Sequence, residues 1–336
     1  GYPATVSVPP CIDFSDNLRK IIGENFWIVN GGYEFDGRLL GDWSTEEITD
    51  VAKEIKNKNL KYISISCVFS PINEQQEIDT AKIIKEHNPD AIITMSHRIG
   101  RVGFVERENA TIMNSSLGKL ADKVISSFKD ALKELKIKSP FYISQNDGTL
   151  MSADIVKNYP VLTFASGPTN SMRGAGFLSK KNNAIVVDIG GTTTDFGVIK
   201  EGFPRESAIP VDIGGVRTNF RMPDLISIGL GGGSIIREND NTVSVGPDSV
   251  GFKLDREALI FGGKTLTTSD ITVASGDANF GDKSKVRHIS NDLITKSQNE
   301  IKNMIEEGID RVKLNKDDVP VILVGGGSIL VNGKLK

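Results

Sequence analysis

The sequence has few of the residues that build metal clusters and disulfides, and it has no long apolar run. Its 336 residues include only 3 histidines and 2 cysteines, so a histidine-based metal cluster is not expected. Cys11 and Cys67 lie far apart, which favours two reduced thiols in the cytoplasm over a disulfide. Cys67 lies within the apolar stretch YISISCVFS, where we expect a buried, unreactive thiol. No apolar run approaches the roughly 20 residues of a membrane-spanning helix, so no membrane association is predicted.

An excess of either charge is also missing. Lys and Arg number 40 and Asp and Glu number 43, which gives a formal net charge of -3. Such a balance argues against the strongly basic surface that binds nucleic acid. The composition, 38% hydrophobic and 25% charged, is typical of a globular protein with a sizeable core. The length fits one large or two medium domains.

The predicted elements alternate between strands and helices. We predict strands at 60–69, 91–96, 141–145 and 320–324 (the last central in its sheet), mostly strands from 184 to about 228, and helices at 74–87, 109–135 and 282–312. Alternation on this scale is typical of a largely parallel sheet flanked by helices. The helix at 109–135 is predicted from apolar residues at helical spacing, among them Leu120, Val124 and Phe128, the pattern of a helix with one buried face.

The stretch AIVVDIGGTTTDFGVI (184–199) contains the clearest chemical signal. It lacks the GxxxxGK[ST] of a P-loop and the GxGxxG of a dinucleotide fold. Because β-rich sequence follows the threonines, we predict a β-hairpin with Gly190 and Gly191 in its turn.

A turn of this composition suits a phosphate group. Its successive N–H groups form an anion-binding nest, and the hydroxyls of Thr192, Thr193 and Thr194 add donors without negative charge. Asp188 would repel phosphate unless Mg²⁺ or a nucleophilic water lay between them. Asp195 either does the same or closes the turn. The alternative is a plain Gly/Thr hairpin in which aspartate is only a turn former.

Further glycine clusters favour the phosphate interpretation. Glycines follow predicted strands in ISIGLGGGSII (226–236) and VPVILVGGGSILV (319–331), and SGPTNSMRGAG (166–176) precedes a predicted short helix. These clusters, together with a DxGGTxTD hairpin, are hard to explain as independent turns. Among other polar positions, His97 is expected to be structural, while Arg173 and Arg217 are candidate partners for a carboxylate or phosphate.

Long motifs throughout the chain resemble the hydantoinase A/oxoprolinase family of the actin-like ATPase superfamily. The resemblance is carried by SHRIGRVGFVERENATIMNSSL (96–117), QNDGTLMSAD (145–154), PVLTFASGPTNSMRGAGFLS (160–179), DIGGTTTDFGV (188–198) and GGVRTNFRMPDLISIGLGGGSI (214–235). The stretch GFKLDREALIFGGKTL (251–266) departs from larger oxoprolinase-type members and is closer to shorter ones. The resemblance therefore does not imply a particular substrate.

The resemblance implies an α/β fold of the actin-like ATPase (ribonuclease H-like) type, with mixed sheets flanked by helices. Family members carry two DxGGTxTD loops, and the order of motifs makes 188–195 the second. We therefore expect the middle portion of a shorter-type member, incomplete at both ends. The expected domains are 1–150, the remainder of an N-terminal hydantoinase/oxoprolinase domain, and 151–336, an ATPase-type domain.

The resemblance also implies a site and a reaction. ATP and Mg²⁺ are the expected cofactors, with Asp188 as the metal ligand and Asp188 and Asp195 as the catalytic residues. The expected nucleotide-binding residues are Gly190, Gly191, Thr192, Thr193, Thr194, Gly231, Gly232, Gly233, Gly325, Gly326 and Gly327, the last three resembling the adenosine loop.

The leading hypothesis is an ATP-dependent hydrolase that opens a cyclic amide (a hydantoin, 5-oxoproline or a similar lactam), with a second subunit of hydantoinase B type as a possible partner. The alternatives are a small-molecule kinase or carboxylase subunit, or a nucleotide-responsive binding module.

Overall fold

The computed structural model describes residues 8–23, 25–239, 242–313 and 319–331. They pack as two compact units. The first unit contains the chain up to Ser166 and the later stretch Ser207–Met222. The second unit contains Gly167–Glu206 and the chain from Pro223 onward. The predicted domain boundary at 150/151 thus differs from the boundary between the two units, because residues 151–166 and 207–222 also belong to the first unit. Within the described residues, no helix combines the length and apolar character needed to cross a bilayer.

The elements follow one another in mixed α/β order. The helices are α1 (Asp16–Ile22), α2 (Thr45–Asn57), α3 (Gln75–His87), α4 (Phe104–Glu134), α5 (Ala153–Asn158), α6 (Ser166–Ser179), α7 (Leu254–Glu257), α8 (Thr268–Ser275) and α9 (Asn291–Val312). The strands are β1 (Tyr62–Ile65), β2 (Ile92–Met95), β3 (Tyr142–Ser144), β4 (Leu150–Ser152), β5 (Ala184–Ile189), β6 (Thr194–Lys200), β7 (Phe203–Pro204), β8 (Val211–Ile213), β9 (Val216–Thr218), β10 (Leu225–Ile228), β11 (Ser234–Asn239), β12 (Thr242–Ser249) and β13 (Val321–Val324).

The first unit is organised around short strand pairs and the long helix α4. Strands β1 and β2 are parallel, as predicted, and β3 and β4 form an antiparallel hairpin around the predicted turn at 146–148. Helices α2 and α3 pack on β1 and β2 through a core that includes Ile48, Ile63 and Ile84. Ser44 caps α2, since its Oγ accepts the N–H of Glu47 at 3.3 Å.

The buried face of α4 differs from the predicted one. Leu120, Val124 and Phe128 are more than half exposed, whereas Ala121 and Ile125 are buried. The predicted helix is therefore present, but the stripe with Leu120, Val124 and Phe128 faces outward. The neighbouring stripe with Ala121 and Ile125 packs inward. Apolar periodicity alone could not distinguish the two stripes, because they lie side by side on the helix.

The second unit is built on a five-stranded sheet in the order β10–β6–β5–β13, with β7 paired to β6. Strands β5 and β6 are antiparallel, and β13 runs parallel to β5. Within the described strands β13 lies at the edge of this sheet, so the prediction of a central strand at 320–324 was wrong. Helix α9 begins at Asn291 rather than at 282, because a 3₁₀ turn at Lys283–Val286 precedes it. The stretch 166–176 is itself part of α6 and does not precede a helix.

Both faces of β5 are covered. Ile185, Val187 and Ile189 point into a core formed with α9, which contributes Ile301 and Ile305. On the opposite face, Val186 packs against Met172 and Ala175 of α6. A strand buried on both sides reads as a continuous apolar run, and the ends of such a strand are held firmly in place.

Close packing of α9 on β6 requires a glycine. A Cβ on Gly308 would lie within 2.6 Å of three ring carbons of Phe196, which is fully buried. We predict that Gly308→Ala destabilises the protein, because overpacking costs about 1–3 kcal/mol while the gain in helix propensity is only about 1 kcal/mol. Thermal unfolding measures the net effect.

Gly174, in α6 of the same unit, is the matched control. A Cβ there has nothing within 4 Å, so Gly174→Ala should raise the melting temperature. A stabilising Gly308→Ala would contradict the packing described.

Candidate functional site

The predicted hairpin at 188–195 is present. Asp188 pairs with Asp195 and Ile189 with Thr194, and the turn is closed by the N–H of Gly190 donating to the carbonyl of Thr193 at 2.9 Å. At the tip, Gly191, Thr192 and Thr193 are exposed. The hairpin therefore projects its turn beyond the sheet and is not packed shut.

The N–H groups of the tip are available to a ligand. Those of Gly191, Thr192 and Thr193 have no hydrogen-bond partner within the described part of the chain. Successive backbone N–H groups with this freedom form an anion-binding concavity. Phosphate binding by this turn stays a prediction, for which these N–H groups supply the donors.

A second glycine loop, Gly231–Gly233, packs against the backbone of the hairpin. The N–H groups of Gly232 and Gly233 donate to the carbonyls of Gly190 and Gly191 at 3.0 and 2.7 Å. A Cβ on Gly231 would lie 2.5 Å from the backbone nitrogen of Thr192. These three glycines are buried, so their contact is with the hairpin backbone.

Hydroxyl groups hold this second loop in place through hydrogen bonds to its carbonyls. Thr268 and Ser269, at the start of α8, donate to the carbonyls of Gly231 and Gly232 at 2.5 and 2.7 Å. The Thr194 hydroxyl is fully buried and donates to the carbonyl of Leu230 at 2.7 Å. Thr194 therefore ties the hairpin to the loop, and only Thr192 and Thr193 present exposed hydroxyls.

The third glycine loop, 325–327, follows β13 and reaches the same point. Because β5 and β13 are parallel, with Val324 beside Asp188, their carboxyl ends meet at one edge of the sheet. A Cβ on Gly325 would collide with an Asp188 carboxylate oxygen, and one on Gly327 would lie 2.8 Å from the carbonyl oxygen of Gly190. The structure thus brings together the three glycine loops that are distant in sequence.

The two aspartates lie opposite each other at the base of the turn. Directly opposed residues of an antiparallel pair share one face of the sheet, so both carboxylates face the same side. Asp188 is half-buried and has no hydrogen-bond or ion-pair partner among the residues described. The Ser227 hydroxyl, across from Asp195 on β10, donates to a carboxylate oxygen of Asp195. Burial raises the pKa of Asp195, the Ser227 hydrogen bond lowers it and the charge of Asp188 raises it, with a net increase.

This donor set fits Mg²⁺ bound together with phosphate. The described residues contain no group of three or more His, Cys, Asp or Glu side chains that could hold a metal alone. Mg²⁺ is commonly bound by one or two carboxylates, with waters and phosphate oxygens completing its shell. Two opposed carboxylates, one of them without a partner, supply that minimum.

Other candidate residues serve the fold. Arg217 forms a two-pronged ion pair with Asp13 at 2.9 Å, and Arg173 donates to the carbonyl of Gly202 while lying over the Phe203 ring. His97 is almost fully buried and its Nδ1 lies 2.6 Å from a carboxylate oxygen of Glu77, in keeping with a structural role.

Sequence reasoning missed the contributions of Ser227, Thr268 and Ser269. None of the three gave a local signal, because Ser227 lies 32 residues from Asp195, and Thr268 and Ser269 lie 37 residues from their partners.

Family models match most of the described chain. The hydantoinase/oxoprolinase model matches residues 107–282, and the hydantoinase/oxoprolinase N-terminal region model matches residues 13–88.

Named relatives are similar over much of this chain. The acetophenone carboxylase gamma subunit of Aromatoleum aromaticum is 26% identical over 72% of this chain and 34% of its own length. The caprolactamase subunit alpha of Pseudomonas jessenii is 25% identical over 77% of this chain and 37% of its own length. The chain thus spans little more than a third of these relatives.

A solved structure shows the same fold. The crystal structure of the ATP-dependent caprolactamase from Pseudomonas jessenii superposes with a TM-score of 0.73 at 22% identity, covering 88% of this chain and 47% of that one. At this identity the likeness concerns the fold alone. It confirms the predicted α/β class of the actin-like ATPase type.

The raised pKa of Asp195 predicts a pH dependence of stability. As pH rises above the ordinary aspartate value of about 4, the unfolded chain loses this proton before the folded protein does, so stability falls until the raised pKa is passed. Asp195→Asn keeps an oxygen acceptor for Ser227 and removes the charge. Without divalent cations, we expect the variant to unfold at a higher temperature than wild type at pH 7.

Asp310→Asn, at an exposed position of α9, is the control and should reproduce the wild-type pH profile. An Asp195→Asn protein that is less stable than wild type at pH 7 would contradict the electrostatic description.

Proposed function

Because the chain belongs to the hydantoinase/oxoprolinase family, we propose that it is the nucleotide-binding part of an ATP-dependent hydrolase that opens a cyclic amide. One observation carries this proposal. The carboxylate of Asp188 is half-buried without a partner among the described residues, opposite a second carboxylate and beneath exposed N–H groups. A divalent cation bridging to a phosphate would complete such an arrangement.

The hairpin tip would hold the terminal phosphates. The N–H groups of Gly191, Thr192 and Thr193 donate to phosphate oxygens, and the exposed hydroxyls of Thr192 and Thr193 add further donors. Asp188 would bind Mg²⁺, which offsets the repulsion between this carboxylate and the phosphate.

The other two loops would have different tasks. Gly231–Gly233 are buried against the hairpin, so they position the phosphate-binding turn. Gly325 and Gly326 are exposed beside Asp188, where a backbone without side chains allows the nucleoside to approach closely. Gly327 packs under the turn and supports it.

The chemistry requires little covalent work from the protein. Bound ATP would transfer its terminal phosphoryl group to the amide oxygen and leave as ADP, which makes the carbonyl carbon a better electrophile. Water would then add to that carbon, the ring C–N bond would break, and hydrolysis of the resulting acyl phosphate would release phosphate. The contribution of the chain is alignment. Asp195, oriented by Ser227 and with a raised pKa, would accept a proton from the attacking water.

A carboxylase subunit is the second candidate. The similarity to the acetophenone carboxylase gamma subunit favours it, while the similarity to caprolactamase subunit alpha favours amide opening. Both relatives are named as subunits, so we also propose a partner of the hydantoinase B type.

The buried free thiols of Cys11 and Cys67 suit the cytoplasm.

The proposal predicts Mg²⁺-dependent nucleotide binding. At 100 times its Kd, a ligand that binds only the folded protein stabilises it by about 2.7 kcal/mol. We expect ATP to raise the melting temperature with Mg²⁺ and to do so much less with EDTA. Asp188→Asn should remove the Mg²⁺-dependent part, since it deletes the metal ligand and nearly preserves the shape of the side chain.

Asp310→Asn again serves as the matched control, with the full response retained. An unchanged Mg²⁺-dependent shift in Asp188→Asn would exclude the proposed metal role. A phosphate-release assay on the protein with its partner separates the hydrolase from the carboxylase. Release with lactams or hydantoins indicates the hydrolase, and release with ketones plus bicarbonate indicates the carboxylase.

A further inference from the structure

A row of large apolar side chains is exposed on α4. Leu120, Val124, Phe128 and Leu135 are 52–70% exposed, and their spacing places them on one side of the helix. The row is about 22 Å long at the rise per residue of an α-helix. Single exposed apolar residues are common, but a continuous row of this length indicates a surface that another molecule covers.

An open groove lies beside the end of this row. It has a volume of about 450 Å³ and lies between the last turns of α4 and the segment 136–141. Leu132, Ile137 and Phe141 line it with apolar surface. The centroid of the Phe141 ring lies 4.8 Å from that of the Phe128 ring, so the groove and the exposed row form one continuous apolar surface.

Backbone hydrogen bonds at the end of α4 give the groove its shape. Lys136 adopts the left-handed conformation, with a φ of 56°, and its N–H donates to the carbonyl of Lys133 at 3.0 Å. The N–H of Ile137 donates to the carbonyl of Leu132 at 2.9 Å. Together these two bonds close the helix and turn the chain back beside it. The groove is therefore built by a hydrogen-bonded helix end.

Lysines surround this groove: Lys129, Lys133, Lys136 and Lys138. Lys129 pairs with Asp154 at 2.6 Å, whereas the other three have no ion-pair partner among the described residues. Within the stretch 129–141 only Asp130 and Glu134 are acidic. The groove thus carries an excess of positive charge next to apolar surface, in a protein whose formal net charge is -3.

Charge complementarity indicates what covers this surface. An acidic partner is attracted by the lysines, and a partner helix with apolar residues along one face covers the exposed row. The net negative charge of the whole protein gives no general attraction to an anionic membrane. A second copy of the described chain does not supply such a helix, because the acidic helices α2 and α9 bury their apolar residues, among them Ile48, Ile55, Ile301 and Ile305.

We propose that the exposed row and the lysine groove bind an acidic amphipathic helix of a partner protein. The apolar face of that helix covers Leu120, Val124 and Phe128, and its carboxylates pair with the lysines of the groove. The inference goes beyond the proposed function, because this surface belongs to the first unit and binding there needs no nucleotide.

A labelled peptide tests the surface directly. The probe is a fluorescein-labelled amphipathic peptide of leucine and glutamate, about 18 residues long so that it exceeds the shortest helices that form in water. We expect saturable binding in fluorescence anisotropy, weakened by added salt. A peptide with the same residues in scrambled order should bind about tenfold more weakly, and one with lysine in place of glutamate should not bind.

Lys133→Glu identifies the lysine contacts. It should weaken binding of the acidic peptide about fivefold, because it replaces an attraction with a repulsion. The matched control is Lys56→Glu, since each lysine is the basic residue in the last turn of its helix, α4 or α2. Both variants lose the same favourable interaction with the helix dipole, so only a difference in affinity reports on the groove. The control should bind the peptide as wild type does.

Lys136→Gly separates binding from stability. Glycine adopts the left-handed conformation without the cost of a Cβ, so this variant should melt at a higher temperature yet bind the acidic peptide about threefold more weakly. Lys180 has the same φ of 56° directly after α6 and is the control. Lys180→Gly should also raise the melting temperature and should leave the affinity unchanged.

Four results would overturn the inference: no saturable binding of the acidic peptide, equal binding of the scrambled or the lysine peptide, an unaffected Lys133→Glu protein, or displacement of the peptide by phosphatidylserine vesicles that bind the protein, which would mark a membrane surface. None of these results alters the Mg²⁺–ATP thermal shift, so the two proposals can fail separately.

Discussion

The candidate site depends on backbone-to-backbone contact that only glycine permits. The amides of Gly232 and Gly233 hold the carbonyls of Gly190 and Gly191, and Gly325 lies directly against Asp188. A Cβ would come within 3.0 Å of hairpin atoms and push the loops apart at four of the loop glycines, Gly231, Gly233, Gly325 and Gly327. Because the carbonyls of Gly190 and Gly191 are bonded to the second loop, the N–H groups of the turn remain open to a ligand.

The rest of the second unit holds the hairpin firmly and leaves the charges of its two aspartates without a cation among the described residues. Helices α9 and α6 cover both faces of β5, so the strand end that carries Asp188 has little freedom. Like charges directly opposed on neighbouring strands are destabilising, yet Asp188 faces Asp195. A protein that retains such a pair in a firmly packed sheet has a structure suited to receiving a cation.

Much of this site could be predicted from the sequence, because strong local signals mark it. Glycine pairs after apolar runs predicted the hairpin and its neighbouring loops, and parallel strands end at one edge, which explains their convergence. Local signals could not show that the Thr194 hydroxyl points inward or that Gly231–Gly233 are buried, since both depend on long-range contacts. The exposed stripe of Leu120 and Val124 on α4, and the return of residues 207–222 to the first unit, follow from tertiary packing that periodicity does not encode.

The most direct measurement of the central claim follows the backbone N–H signals of the hairpin by NMR in protein labelled at glycine and threonine. Addition of Mg²⁺ with a non-hydrolysable ATP analogue should shift the signals of Gly191, Thr192 and Thr193. The signal of Gly148, in the β3–β4 turn of the first unit, serves as the internal reference. Saturable binding that leaves the three tip signals unmoved would contradict the account.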